Sequence, residues 1–194
     1  DKDADRERQA QGKPSRDPQA QVAKKGKRRQ TEPDGTVVER EMRYPGYKSH
    51  VSLNAETGLI TSVHPTPGNA ADNEQFLKLL AHDEQIEVSA QIYAGDKAYD
   101  DTELHYALKV SKKHSALRLN DSRTQKKDDS KEPWLRLLAS PQYQQGLDER
   151  YKVERKFGEA KRWHRFGRCR YLGLRRYGIQ AFLTAIALNL KRIV

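Results

Sequence analysis

The chain has 194 residues, a length that fits one domain with a short appendage. Charged residues make up 33% and apolar residues 35% of it, so we expect part of the chain to lie outside any core. The net charge of +10 favours a polyanionic partner such as nucleic acid, and a merely basic protein is the alternative. The single cysteine excludes an intrachain disulfide.

Residues 1–43 consist mainly of charged residues, Gln and Gly, and their only obvious apolar pair is Val37 and Val38. We expect a loose, disordered basic arm here, because such a composition buries too little surface to offset the entropy of ordering. Five of the six residues at 24–29 are Lys or Arg. This run is either a solvated tail or an arm that contacts DNA.

Ordered structure is expected from about residue 44 to the end of the chain. Residues 50–53 and 59–63 are β-rich runs on either side of a turn that ends at Gly58, which predicts a hairpin. Pro65 and Pro67 are expected to end its second strand.

The rest of the chain alternates between helix and strand patterns, which predicts an α/β fold with a mixed sheet. In chain order we expect a helix after 69–71, a third strand at 86–93, a helix from Thr102, a short strand at 116–119, a charged loop at 120–133, and two final helices at 146–166 and 174–193.

The longest apolar stretch, residues 179–190, is too short to span a bilayer and contains Gln180, Thr184 and Asn189. We therefore expect no membrane partner, and the single cysteine favours a reducing, cytoplasmic setting.

Asp96 is the first candidate for catalysis. It follows the predicted third strand directly, and active sites of open α/β sheets lie at the carboxyl ends of strands. Gly95 before it would let a metal or a phosphate approach the backbone. The alternative is that Asp96 only caps the turn that follows.

Glu154 is the second candidate. On a helix it lies one turn from Arg150 and two turns from Lys161, so the three share one face. Phe157 indicates that this face meets the core, where charge is costly unless it meets a metal or a phosphate. The alternative is an exposed ladder of ion pairs, each worth about 0.3–0.5 kcal/mol.

Two carboxylates far apart in sequence, one at a strand end and one on a helix, suit a two-metal phosphoryl-transfer site. Neighbouring cations would hold the phosphates of DNA.

These motifs together resemble the DDE transposases of bacterial insertion sequences, whose catalytic domain has a ribonuclease-H-like fold. The resemblance covers residues 44–194, and the segments that carry it are 46–51, 57–60, 66–72, 94–99, 170–174 and 184–191. A helix signature of that family matches here as Arg150, three residues, Glu154, six residues and Lys161, although Leu147 stands where the family has tyrosine. Glu159 is a competing carboxylate, but it does not fit this spacing.

The resemblance implies that Asp96 and Glu154 are catalytic and bind Mg²⁺ or Mn²⁺. It further implies that Arg150, Lys161, Lys97 and Arg155 contact DNA. The partners would be transposon ends and target DNA, with a possible homodimer. Asp72 is conceivable as a helper carboxylate, but a place near a helix N-terminus is the preferred interpretation.

The family's first catalytic aspartate lies on the first strand of the fold, and no apolar strand precedes Asp1, Asp3 or Asp5. We expect that strand to lie upstream, so that residues 44–194 are a partial catalytic domain. Three hypotheses follow: a transposase that cleaves and transfers DNA strands, an inactive remnant that only binds DNA, and a related nuclease.

Overall fold

A computed structural model describes residues 7–8, 10–88, 90–125 and 129–194. Three antiparallel strands open it: β1 (Gln21–Thr31), β2 (Val37–Leu53) and β3 (Ile60–Pro67). The first part of β2 pairs with β1, from Val37 opposite Thr31 to Gly46 opposite Gln21. Its second part, residues 47–53, pairs with β3.

The expectation of a loose arm does not hold for residues 21–43, because they lie in the paired strands β1 and β2 and in the turn between them. The composition of this segment predicted that it has too little apolar surface to adopt an ordered structure. An antiparallel ladder needs little, however, since its backbone hydrogen bonds and cross-strand ion pairs are local. Residues 1–6 and 9 of the expected arm lie outside the described residues.

The predicted hairpin at 50–63 is confirmed as the pairing of β2 with β3. Its turn is held by Asn54, whose side-chain oxygen accepts hydrogen bonds from the backbone N–H groups of Glu56 and Thr57, each at 3.0 Å. Gly58 ends the turn with φ +73°. The prediction that the prolines stop the second strand is wrong: Pro65 and Pro67 belong to β3, which is an edge strand and tolerates them.

A strand–helix–strand unit follows the helix α1 (Asp72–Gln85). It consists of β4 (Ile92–Gly95), α2 (Thr102–Val110) and β5 (His114–Leu117), and β5 pairs with β4 in parallel. The strand expected at 86–93 is therefore much shorter, because α1 continues to Gln85 and a turn with Glu87 at φ 57° takes up the next residues. The strand expected at 116–119 starts earlier, at His114.

After β5 the described residues form the α-helices α3 (Asp121–Thr124), α4 (Glu132–Leu138), α5 (Pro141–Glu149), α6 (Tyr151–Trp163) and α7 (Leu174–Ile193). The single helix expected at 146–166 is two helices, because α5 begins at Pro141, where Ser140 caps it, and a break at Arg150 separates α5 from α6. The charged loop expected at 120–133 contains α3 and the start of α4, and its residues 126–128 lie outside the described residues. The final helix is confirmed.

The core has two parts, on either side of the parallel strands. Phe76 and Leu80 of α1 pack with buried leucines of α2 and β5. Ala116, Leu119 and Tyr143 form a second cluster beneath α4 and α5. The combination of antiparallel and parallel strands with flanking helices confirms the α/β class and agrees with a ribonuclease-H-like layout.

Helix α7 packs against β3, and the Asn189 side chain bonds the backbone N–H and carbonyl of Ile60, each at 2.8 Å.

Among the residues that the structure describes, no helix is long and apolar enough to cross a membrane.

Candidate active site

A groove of about 1590 Å³ separates the antiparallel strands from the parallel ones. We call it the central groove. Its walls are residues 44–56 of β2 and the following turn, residues 90–96 around β4, part of α1, and one side of α5 and α6, from Gln145 to Lys161. Four of the six sequence-predicted site residues line it: Asp96, Arg150, Glu154 and Lys161.

Asp96 lies at the end of β4, as the sequence predicted. It is exposed toward the groove, and its Oδ1 atom accepts a hydrogen bond from the Ala98 N–H at 2.9 Å. It thus also caps the short 3-10 helix Lys97–Tyr99, which was the alternative interpretation. The catalytic interpretation stays a prediction that the cap does not contradict, because capping uses one carboxylate oxygen and leaves Oδ2 without a hydrogen bond from any described residue.

Glu154 lies in the first turn of α6 with its side chain 62% exposed. Arg150, one turn earlier, donates to its Oε1 atom at 2.5 Å. Arg150 is only 22% exposed, so the Glu154 carboxylate is held by a cation that lies mostly within the groove wall. The two residues form the i,i+4 pair that the spacing predicted, and they share the groove with Asp96.

Glu159, the competing carboxylate, does not line the groove. Its oxygens bind Lys191 of α7 at 2.6 Å and Lys156 at 3.6 Å. The hydrogen bond from Lys191 holds the pKa of Glu159 below its usual range. Glu159 thus ties α6 to α7, while Glu154 faces the groove.

The predicted DNA-contacting cations divide into two groups. Arg150 and Lys161 line the central groove, whereas Lys97 and Arg155 do not. Lys97 donates to Asp121 at 2.8 Å, and this hydrogen bond lowers the pKa of the Asp121 carboxyl group. Arg155 is exposed on α6.

The segment that carries Asp96 is anchored by Asp100, which sequence reasoning passed over. The Asp100 side chain is fully buried and receives hydrogen bonds or ion pairs from Arg123 at 2.6 Å, the Asn120 N–H at 2.7 Å and His105 at 3.1 Å. Burial alone would raise its pKa, but these donors outweigh burial and hold the pKa below its usual range. A buried carboxylate with three donors holds the turn that follows β4 in place. The only sequence signal for this anchor is the pair Asp100 and Asp101, which follows Asp96 along the chain.

Asp72 begins α1, as its preferred interpretation said, and lines the groove as well. Lys48 on β2 binds it at 3.0 Å and also donates to the Ala70 carbonyl at 2.9 Å. Close by, His50 is buried, and its Nε2 atom lies 2.9 Å from the Thr66 hydroxyl. Burial lowers the pKa of His50 to about 4.

The central groove has unpaired strand edges on both sides. Residues 47–53 of β2 pair only with β3, and β4 pairs only with β5, within the described part of the chain. Three buried polar atoms of residues that line the groove also lack a hydrogen-bond partner among the described residues: Thr61 Oγ1, Asp83 Oδ1 and Tyr93 Oη. Buried polar atoms are rarely left unpaired, so these atoms and the two strand edges are available to a further hydrogen-bonding partner.

The donor set suits a hard divalent cation. Asp96 and Glu154 offer carboxylate oxygens, the ligands that Mg²⁺ and Mn²⁺ prefer, and each keeps one oxygen that no described residue occupies. The described residues contain no group of three or more His, Cys, Asp or Glu able to hold a metal ion. The two carboxylates thus fit as part of a metal site, with further ligands to come from water, DNA or another carboxylate.

Comparison with known proteins agrees with this geometry. The profile of the family described as "Transposase DDE domain" matches residues 12–190. The chain is 31% identical over 145 residues to the transposase for insertion sequence element IS1106 of Neisseria meningitidis serogroup B, an alignment that covers 75% of this chain and 46% of that protein. The chain therefore spans about half the length of that relative. No solved structure matches significantly.

Proposed function

Because the chain belongs to the transposase DDE domain family, we propose that it is the catalytic segment of an insertion-sequence transposase that cleaves and transfers DNA strands. The observation that carries this proposal is that Asp96 and Glu154 line one groove together with the cations Arg150 and Lys161. The DNA substrates would be the ends of the element and its target. Two copies, one for each end, would form a homodimer, and a DNA substrate would place the protein at the bacterial nucleoid.

Asp96 and Glu154 would hold Mg²⁺ or Mn²⁺, which when bound activates a water or a 3′-hydroxyl and stabilises the leaving oxygen. Arg150 orients the Glu154 carboxylate through their hydrogen bond and adds positive charge beside the scissile phosphate. Lys161 and, farther from the groove, Lys97 and Arg155 would contact the DNA backbone. These contacts would fix the position of the strand without reading its sequence.

We further propose that the central groove accepts one more β-strand, which joins the two sheets and brings a third carboxylate to Asp96 and Glu154. The unpaired edges of β2 and β4 and the three unpartnered polar atoms support this proposal. Residues 44–194 would then be a partial catalytic domain, as expected from the sequence.

The test is metal-dependent cleavage of a duplex that carries the element's ends. It compares this chain with a form lengthened at its N-terminus by an aspartate-bearing strand. The expected result is cleavage with Mg²⁺ or Mn²⁺ by the lengthened form, and its loss in Asp96→Ala and in Glu154→Ala. Cleavage that survives both substitutions would show that the site is wrongly assigned.

A binding-only remnant is the second candidate, and the observation that favours it is the presence of only two carboxylates of the proposed set in the groove. Salt-sensitive binding to DNA without cleavage, in the lengthened form as well, would support it. Hydrolysis without strand joining would indicate a related nuclease.

A further inference from the structure

Residues 162–176 span the end of α6, the loop that follows it and the first turn of α7, and we call them the arginine segment. They contain six arginines and no lysine, aspartate or glutamate. All six arginines are exposed: Arg162, Arg165, Arg168, Arg170, Arg175 and Arg176. The chain has no acidic residue from position 160 to position 194, so the sequence around the segment does not balance its charge.

The fold does not balance this charge either. Glu159, the nearest acid along the chain, is held by Lys156 and Lys191. Asp17 contacts the segment at Gly173, but it is buried and both its oxygens already accept hydrogen bonds from the protein. None of the six arginines has an ion pair with a described residue, whereas carboxylates bind several arginines elsewhere: Arg29, Arg40, Arg43, Arg123, Arg136 and Arg150. The segment therefore presents uncompensated positive charge to a ligand.

Two of the six arginines lie where positive charge opposes the fold. Arg175 and Arg176 are in the first turn of α7, which contains no acidic residue, and Gly173 before it provides no side-chain cap. Cations at this end repel the positive end of the helix dipole, an effect of about 0.3–1 kcal/mol for each charge. These two arginines therefore do not serve the stability of α7, and an anion bound beside them would relieve the repulsion.

The backbone of the arginine segment is held in place without its arginine side chains. The Gln180 side chain of α7 donates to the Arg168 carbonyl at 3.0 Å and accepts a hydrogen bond from the Arg170 N–H at 3.2 Å. The Phe166 ring stacks on Tyr177, with ring centroids 6.3 Å apart. The arginines thus extend from a fixed loop, so that less conformational freedom is lost when they bind a ligand.

The arginine segment adjoins the central groove, because its residues Gly167 and Cys169 line that groove together with Asp96 and Glu154. We propose that the arginine segment binds the phosphates of double-stranded DNA whose scissile strand enters the central groove. This proposal rests on the proposed function, which supplies DNA as the substrate, and it adds a contact surface that the predicted DNA-contacting cations do not include. Duplex DNA presents a dense array of phosphates, and the planar guanidinium group of arginine can bond a phosphate through two N–H groups at once.

The experiment removes two arginines at a time, in the variants Arg168→Gln/Arg170→Gln and Arg175→Gln/Arg176→Gln. Binding of the chain to a fluorescent DNA duplex is measured by anisotropy over a range of salt concentrations, without divalent metal. Each variant is expected to bind about tenfold more weakly or worse. Each should also lower the slope of log affinity against log salt by about two, because every phosphate contact releases about one counterion.

Lys109→Gln/Lys112→Gln is the matched control. It loses the same charge at two exposed lysines, at the end of α2 and just after it, which have no ion pair with a described residue. Its affinity for the duplex should change less than about threefold. Urea unfolding shows that the variants are folded, and Arg175→Gln/Arg176→Gln is expected to leave the free energy of unfolding unchanged or to raise it, because the repulsion with the helix dipole is removed.

Equal weakening in the lysine control would reduce the effect to net charge and overturn the proposal, as would unchanged binding by either arginine variant. So would tighter binding of the chain to phosphatidylserine vesicles than to the duplex, since the segment would then belong to an anionic lipid surface. Because this assay omits metal, it can succeed when the cleavage test of Asp96 and Glu154 fails, and the reverse, so the two proposals are judged separately.

Discussion

Asp17 and Tyr47 lie 30 residues apart, and the Tyr47 hydroxyl donates to the Asp17 carboxylate, at 2.6 and 2.7 Å from its two oxygens. The Gly173 N–H points at the same pair, 3.0 Å from the tyrosine oxygen and 3.2 Å from Asp17 Oδ2. Burial, together with the hydrogen bond to Asp17, raises the pKa of Tyr47 well above its usual value. This cluster fastens the segment before β1 to β2 and to the start of α7.

The first prediction concerns this cluster. Asp17→Ala removes the acceptor for the Tyr47 hydroxyl and one of the two acceptors of the Gly173 N–H, and a group left unpaired in a nearly closed site costs about 1–3 kcal/mol. We expect the free energy of unfolding in urea to fall by that amount. Asp148→Ala is the control, since Asp148 is an exposed carboxylate on α5 with no hydrogen bond or ion pair from a described residue, and its effect should stay within about 0.5 kcal/mol. Equal losses in the free energy of unfolding would show that the cluster of Asp17, Tyr47 and Gly173 stabilises the fold no more than an exposed carboxylate does.

The second prediction concerns two helical glycines. A Cβ atom on Gly146 of α5 would lie 2.3 Å from the Ala116 Cβ and 3.0 Å from the Ile92 Cγ2, both on the strands beneath, whereas one on Gly158 of α6 would meet nothing within 4 Å. Gly146→Ala should therefore destabilise the fold by about 1–3 kcal/mol through overpacking. Gly158→Ala should stabilise it by up to about 1 kcal/mol through helix propensity. Thermal melts measure both, and a stabilised Gly146→Ala variant would contradict the close packing of α5.

The sequence predicted the elements that interactions within one segment determine, and it missed those that depend on contacts between segments. The hairpin around Asn54 and the helices α1, α2 and α7 were predicted, because turn residues and apolar spacing are local signals. The strand β1 was missed, because its order comes from cross-strand ion pairs and backbone bonds, which composition does not report. The break at Arg150 was missed because the helical spacing continues through it.

The candidate site shows the same division. The strand end that holds Asp96 and the pairing of Arg150 with Glu154 follow from spacing along single elements. The anchoring of Asp100 by Arg123 and His105 joins three elements, so no local pattern marks it. Its partners become visible only when the fold brings them together.

The third prediction separates the two carboxylates of α6. Glu154→Gln should abolish metal-dependent cleavage by the lengthened form while changing stability little, because Glu154 is exposed and its ion pair is a surface one. Glu159→Gln should do the reverse, loosening α6 from α7 while leaving cleavage intact. The measurements are single-turnover cleavage and urea unfolding on both variants. Loss of cleavage in Glu159→Gln alone would transfer the catalytic assignment to Glu159.

The fourth prediction is a pH dependence of folding that His50 causes. Its ordinary pKa of 6.5 falls to about 4 in the fold, because burial disfavours the charged ring and because Lys48, His64 and Lys78 oppose it, while Asp72 at 3.8 Å acts the other way but is outweighed. Between these two values the unfolded chain binds a proton that the folded chain does not. The stabilisation is therefore complete above pH 6.5 and is lost as pH falls toward 4, at up to about 1.4 kcal/mol per pH unit.

His50→Gln removes the titrating ring and keeps a group that can bond the Thr66 hydroxyl. Urea unfolding at a series of pH values from 7 to about 4 should give a shallower slope for this variant than for the unaltered chain. His105, whose pKa burial also lowers, is expected to contribute a share of the same sign, so His50→Gln/His105→Gln should flatten the slope further. If His50→Gln keeps the original slope, the ring is already protonated in the folded chain. The Asp72 carboxylate, and not burial, would then control its charge.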